Sequence, residues 1–271
     1  MTLFRETLAG IEVLRRAGAP GGVPLVLLHG IGSDAETWTR MIEALDPAIE
    51  VMAWDAPGYG QSTPLGEASP TPSHYADQLI DVLDMIAWHK VFLAGHSLGT
   101  LFAARFAARY PDRVAGLALL SPALGYGVTA GQDLPAHVQA RIDDLTLFGI
   151  RDFAAKRAPR LVHLPETKPD VLASVQRAMA AVRPDGYAQA VHALGAGTLL
   201  MDAGKITVPA LVAVGRHDVV TPPDNARALH AALPHPRPLV LVDGAGHALP
   251  QENPEIIAQL LTNLLQEVVH G

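Results

Sequence analysis

Residues 90–109 read Lys90-Val91-Phe92-Leu93-Ala94-Gly95-His96-Ser97-Leu98-Gly99-Thr100-Leu101-Phe102-Ala103-Ala104-Arg105-Phe106-Ala107-Ala108-Arg109. The run 90–94 is short, apolar and strand-like, and the stretch from Thr100 to Tyr110 is rich in alanine and favours helix. Between them stands Gly95-His96-Ser97-Leu98-Gly99, a G-x-S-x-G pentapeptide. A strand that turns this sharply into a helix forces the serine into a strained conformation and presents its hydroxyl at the carboxyl edge of a sheet. The flanking glycines leave room for that turn. The helix then starts beneath the serine, so its unpaired amides and positive dipole end face any anion that forms there.

Strands and helices alternate outward from this turn. Residues 2–16 alternate loosely around Gly10 and predict an opening β-hairpin, with Arg15-Arg16 as a solvated strand end. Pro24-Leu25-Val26-Leu27-Leu28 has the continuous apolar character of a buried parallel strand and runs into His29-Gly30-Ile31-Gly32-Ser33. Trp38 to Leu45 suits a crossover helix. Glu50-Val51-Met52-Ala53-Trp54 is the next strand, ending in Asp55-Ala56-Pro57-Gly58-Tyr59-Gly60-Gln61-Ser62. Ser73 to Trp88 carries apolar residues at helical steps, with Ser73 as the expected N-cap. Val114 to Leu120 is a further strand. The alternation from residue 24 to 120 implies right-handed crossovers and a mostly parallel, doubly wound α/β sheet.

After Ser121-Pro122 the pattern changes. No strand-like run occurs between about 124 and 204, where helical patterns fall at 134–148, 151–162, 168–182 and 185–194. Strands resume at Val208 to Val214 and at Pro238 to Val242. The first is followed by Gly215-Arg216-His217-Asp218, the second by Asp243-Gly244-Ala245-Gly246-His247. Both acids and His247 therefore fall at the strand ends where sites form in open α/β sheets.

These motifs together resemble the α/β-hydrolase superfamily, in its serine-nucleophile branch. The G-x-S-x-G turn resembles that family's nucleophile elbow, and the order Ser97, Asp218, His247 is the family's order of nucleophile, acid and base. The resemblance implies an α/β-hydrolase core over 1–123 and 205–271, with a helical cap over 124–204 inserted after the sixth strand. It implies Ser97, Asp218 and His247 as the catalytic residues and the backbone amides of Ile31 and Leu98 as the oxyanion hole. Asp55, in a turn matching the family's Asp-x-Pro-Gly-x-Gly-x-Ser, is expected to hold backbone amides. His29 is expected to brace its loop. His96 is expected to line the substrate space, and Asp243 is the rival acid.

Acyl transfer is the chemistry these residue types support. Serine at position 97 argues against displacement of halide or opening of epoxides, which need a carboxylate nucleophile. Within the serine branch the chain resembles the 3-oxoadipate enol-lactonase and small carboxylesterase group. The likeness lies in His29 to Asp34 with Trp38, in Arg141-Ile142-Asp143-Asp144-Leu145 and in Pro184-Asp185-Gly186-Tyr187-Ala188. The segment after His247, Ala248-Leu249-Pro250-Gln251-Glu252, departs from the lactonase pattern. Carbon–carbon bond hydrolases of ring-cleavage products share the triad but carry tryptophan where this chain has Ala248. A cofactor-free peroxidase or dioxygenase on the same scaffold, and a non-catalytic ligand-binding receptor, are also compatible with these residues. The segment 124–204 carries Arg141, Arg151, Lys156, Arg157, Arg160 and Arg177. Guanidinium binds carboxylate bidentately, so Arg141 is the leading candidate for contact with a carboxylate-bearing substrate.

Composition narrows the partners. The chain has 271 residues, 49% of them hydrophobic, enough for one large core with an insertion. Its 20 basic and 27 acidic side chains give a net charge of −7 with no basic run, which points away from nucleic acid and anionic membranes. With no cysteine there are no disulfides and no thiolate metal sites. No HExxH or EF-hand pattern occurs, so neither metal nor cofactor is expected. A cytoplasmic monomer or homodimer acting on a small molecule is the expectation.

Overall fold

The computed structural model describes residues 2–129 and 131–270; Met1 and Gly271 at the core boundaries and Ala130 in the expected cap lie outside the described residues. Eight strands form one sheet. They are β1 (Phe4–Leu8), β2 (Ile11–Arg16), β3 (Leu25–Leu28), β4 (Val51–Trp54), β5 (Val91–His96), β6 (Val114–Leu120), β7 (Ala210–Gly215) and β8 (Val240–Val242). Their spatial order is β1-β2-β4-β3-β5-β6-β7-β8. The first two run antiparallel to each other and β2 runs antiparallel to β4, while every pair from β4 to β8 is parallel. β3 to β7 are buried along their whole length, which is why each reads as an unbroken apolar run.

The helices are α1 (Thr39–Ala44), α2 (Pro72–Met85), α3 (Leu98–Arg109), α4 (Ala136–Arg157), α5 (Pro169–Ala180), α6 (Pro184–Ala196), α7 (Leu199–Ala203), α8 (Pro223–Ala232), α9 (Leu249–Glu252) and α10 (Pro254–His270). Two large apolar cores form, one on each face of the sheet, beside a smaller cluster of Ala158, Val162, Val171, Val175 and Ala248. Met41 and Ile42 of α1 pack with Ile257, Leu261 and Leu264 of α10 on one face. Tyr75 and Leu79 of α2 pack with Phe102 and Phe106 of α3 on the other, and Val138, Phe153 and Tyr187 from the helices between β6 and β7 extend that core.

Several elements differ from what the sequence pattern predicts. α2 starts at Pro72 with Thr71 as N-cap, because Thr71 and His74 form a reciprocal capping box; Ser73 lies inside the helix. Arg16 is buried, not a solvated strand end: its guanidinium donates to the carbonyls of Ile42, Leu45, Asp46 and Ile49, closing the turn after α1. Arg15 pairs with Glu50 at 3.0 Å and with Glu6. The helical patterns 134–148 and 151–162 join into α4, which is broken at Gly149 (φ 72°, ψ 163°). That conformation is open in practice to glycine alone. The short helix α7 is not foreshadowed by the sequence pattern.

The chain leaves β3 for β4 on one side and β5 for β6 on the other, so the crevice between the ends of β3 and β5 is the switch point at which α/β sheets build sites. The backbones there are in very close contact. A Cβ on Gly99 would lie 2.1 Å from the Leu28 carbonyl oxygen, and one on Gly95 would lie 2.3 Å from the Gly99 oxygen. No side chain fits either gap. Gly99→Ala is therefore expected to destabilise the protein by at least about 2–3 kcal/mol, the upper range for overpacking, read as a lowered urea midpoint. An unchanged midpoint would contradict this packing.

Candidate active site

Ser97 caps α3 with φ 53° and ψ −114°, a strained backbone for a residue with a side chain. It is held by its amide donating to the Leu120 carbonyl at 2.9 Å, and by its carbonyl accepting from the Thr100 amide at 3.0 Å and hydroxyl at 2.6 Å. Maintaining such a conformation costs about 1–3 kcal/mol, which the packed glycine contacts around it offset.

The hydroxyl of Ser97 lies 3.0 Å from Nε2 of His247, and Nδ1 of His247 lies 2.9 Å from Oδ2 of Asp218. All three residues are buried. A carboxylate only accepts, so Nδ1–H donates to Asp218 and leaves Nε2 to accept from Ser97. Asp218 also accepts from the amides of Val220 and Thr221, both at 2.8 Å. Burial alone would raise this carboxyl; the adjacent His247 and the two amides outweigh burial and hold it down at about 2. A hydroxyl bonded to an imidazole that is anchored by a carboxylate is set up to pass its proton to that imidazole.

The loop after β3 lies against Ser97: a Cβ on Gly30 would sit 2.9 Å from the Ser97 Cβ. Ile31 and Leu98 both border the same cavity as Ser97. Braces fix this loop from behind. His29 donates from Nδ1 to the Gly30 carbonyl at 2.8 Å and accepts at Nε2 from the Ala56 amide at 3.0 Å. Asp55 accepts from the Ala35 amide at 2.7 Å and pairs with Arg5 at 2.9 Å. Asp34 accepts from the Thr37 amide at 3.2 Å and is gripped bidentately by Arg177 of α5 at 2.7 and 3.1 Å. His29 and Asp55 thus hold loops, as their sequence contexts suggest.

A cavity of about 550 Å³ opens above Ser97 and His247, walled by Met179, Leu194, Tyr187 and Arg141 among others. That is within the usual size of small-molecule sites. His96 departs from expectation. Its ring is absent from that cavity wall, and Nε2–H instead donates to the His247 carbonyl at 2.7 Å. Burial and the neighbouring His247 push the His96 imidazole down to about 3, so it stays neutral and braces the histidine loop. Asp243 is exposed and pairs with Arg216, away from His247, while His217 stacks on His163 at 3.8 Å.

The family described as serine aminopeptidase, S33 (Hydrolase_4) matches residues 23–254 of this chain. The chain belongs to this family of α/β-hydrolases. It is an enzyme, a hydrolase. Among its relatives, a poly(3-hydroxyalkanoate) depolymerase of Ectopseudomonas oleovorans is 30% identical over 280 residues, 95% of this chain and 89% of that protein. The enol-lactonase of Burkholderia xenovorans LB400 superposes with a TM-score of 0.85 at 25% identity, covering 97% of this chain and 100% of the other. A thermophilic esterase from Thermogutta terrifontis, solved with malate bound, gives 0.84 at 26% identity over 99% of both chains. No helix among the described residues is long and apolar enough to cross a membrane.

Two further residues of this candidate site are not evident from the sequence. The hydroxyl of Thr221 lies 3.0 Å from Asp218 Oδ2, 3.1 Å from His247 Nδ1 and 2.9 Å from the Ser121 carbonyl, joining the acid and histidine to the end of β6. Glu252 accepts from the Gly246 amide at 2.7 Å, the His163 amide at 3.0 Å and Lys168 at 2.6 Å, tying the histidine loop to the segment between α4 and α5. Its place five residues after His247 is a signal; its partners, 84 and 89 positions away in sequence, are not.

The depressed carboxyl of Asp218 fixes a pH dependence. A folded-state value below the unfolded one gives stability that is present above about pH 4 and lost as pH falls toward about 2. Chemical denaturation of the parent and Asp218→Asn at a series of pH values is expected to show a stability gap that narrows across that window. A gap constant from pH 6 to 2 would contradict the assignment.

Proposed function

We propose that this hydrolase cleaves small carboxylic esters, enol-lactones among them, through an acyl-enzyme on Ser97. The observation that carries the reading is the continuous path from Ser97 Oγ to His247 Nε2 at 3.0 Å and from His247 Nδ1 to Asp218 Oδ2 at 2.9 Å, opening onto a cavity of about 550 Å³. The likeness to an enol-lactonase and an esterase over nearly the whole chain supports it.

In the first half-reaction, Ser97 Oγ bonds to the substrate carbonyl carbon as its proton passes to His247 Nε2. The carbonyl oxygen takes the displaced electron pair and is met by the amides of Ile31 and Leu98. The tetrahedral intermediate collapses, the bond to the leaving oxygen breaks, and that oxygen takes the proton from Nε2; in a lactone the leaving oxygen stays attached to the acyl chain. Water then adds to the acyl carbon, giving a proton to Nε2, and collapse returns it to Ser97 with release of the acid. Asp218 holds the tautomer and stabilises the imidazolium at each stage. Residues 124–204 act as a cap over this site. Arg183 donates to the Ser62 carbonyl at 3.0 Å, and Gln189 to those of Leu65 and Glu67, both at 2.8 Å. These contacts hold α6 to the core beside the cavity.

Ser97→Ala is expected to lower kcat/KM on a short-chain p-nitrophenyl ester by at least about 10³-fold, as losses of such nucleophiles do, while far-UV circular dichroism shows the fold retained. A folded variant with parental activity would overturn the reading.

A further inference from the structure

Three guanidinium-bearing residues border the cavity that holds Ser97 and His247: Arg141, Arg157 and Arg160. No aspartate or glutamate among the described residues lines it. The one carboxylate within ion-pair reach of the three is Asp144, 3.5 Å from Arg157, again among the described residues. The space above the nucleophile thus carries surplus positive charge in a chain that is acidic overall.

This concentration is a product of the fold, not of local sequence. Arg141 and Arg157 are sixteen positions apart in α4, and on a straight helix they would be separated by about 24 Å along the axis. The break at Gly149, with φ 72° and ψ 163°, turns the second limb of α4 so that both side chains border one cavity. Arg160 follows from the single 3-10 turn Ala158–Leu161. Burial lowers the Arg157 guanidinium's affinity for its proton, and the like charges of Arg141 and Arg160 add to that, while Tyr187 and Asp144 act in the opposite sense. Arg141 and Arg157 are half-buried and Arg160 is exposed; cations gathered at one cavity are relieved by an anion that bonds to several of them at once. Two further cap cations are engaged elsewhere: Arg177 grips Asp34, and Lys156 lies over the Phe148 ring.

We propose that Arg141, Arg157 and Arg160 form an anion subsite opposite Ser97, and that the substrate class is esters and lactones bearing a carboxylate remote from the scissile carbonyl. This rests on the serine reading above, since the subsite is defined by its position relative to the nucleophile. The carboxylate anchors the substrate at the arginines, and the uncharged acyl carbonyl is left to reach Ser97.

The test compares monomethyl glutarate with methyl 5-hydroxypentanoate, esters of the same chain length that differ in terminal charge. The parent enzyme is expected to favour the charged ester by at least about tenfold in kcat/KM, chiefly through KM. In Arg141→Gln/Arg160→Gln the ratio is expected to fall toward one, and in Arg151→Gln, whose side chain lies on the outer surface, to hold at the parental value. Calorimetry with Ser97→Ala is expected to show tighter binding of monomethyl glutarate than of the neutral ester, an advantage that shrinks in roughly 0.5 M salt, where the Debye length is only about 4 Å. Equal binding of the two esters, a parental ratio of one or less, or a ratio indifferent to the double substitution would overturn the subsite. Turnover by Ser97→Ala would instead overturn the serine reading, so the two failures are distinguishable.

Discussion

The backbone of Ser97, at φ 53° and ψ −114°, is the constraint on which the rest of the site depends. β5 and α3 meet there in a turn that leaves no room for side chains at Gly95 or Gly99, and the strain is sustained by the surrounding contacts. One consequence is a hydroxyl lifted from the sheet edge into hydrogen-bond reach of His247. Another is that Leu98, the first residue of α3, borders the same cavity as Ser97. Seating the helix over Leu28 also brings the loop after β3 against the serine, and Ile31 of that loop borders the cavity above it.

Around that turn the protein spends much of its polar chemistry on holding loops. His29, Asp55, Asp34 and Arg177 fix the loop after β3; His96, Thr221 and Glu252 fix the loops that carry Asp218 and His247. Buried polar groups stabilise little when paired and cost much when orphaned, so networks of this kind fix one arrangement more than they add stability. Arg177 and Glu252 also span from the core to the helices between β6 and β7. The cavity roof and its floor are therefore positioned by shared side chains. At Gly58 and Gly186 the two parts meet backbone to backbone: a Cβ on Gly186 would lie 2.1 Å from the Gly58 oxygen.

The parallel sheet is legible in the sequence because strands buried on both faces must be continuously apolar, and the elbow because few sequences satisfy its sterics. Ser97 and Asp218 each follow such a strand, His247 follows the shorter, partly buried β8, and the structure brings the three together. The start of α2 is not legible because His74, an atypical member of a capping box, moves the cap to Thr71. Arg16 reads as solvated because its acceptors are four carbonyls some 30 positions later in the chain, which leave no trace in composition. The role of His96 is ambiguous in sequence because a ring beside Ser97 can turn to either side of its strand, and here it turns to the His247 carbonyl. Gly149 is visible as a glycine, but not as the bend that gathers arginines from both limbs of α4.

The most direct measurement is the site of reaction with a fluorophosphonate, located by peptide mass spectrometry. One phosphonyl group on the peptide containing Ser97, appearing in step with loss of ester hydrolysis, is the predicted result. Complete modification of a different serine with activity lost, or full inactivation with Ser97 untouched, would contradict an account in which the strained turn at Ser97 supplies the nucleophile.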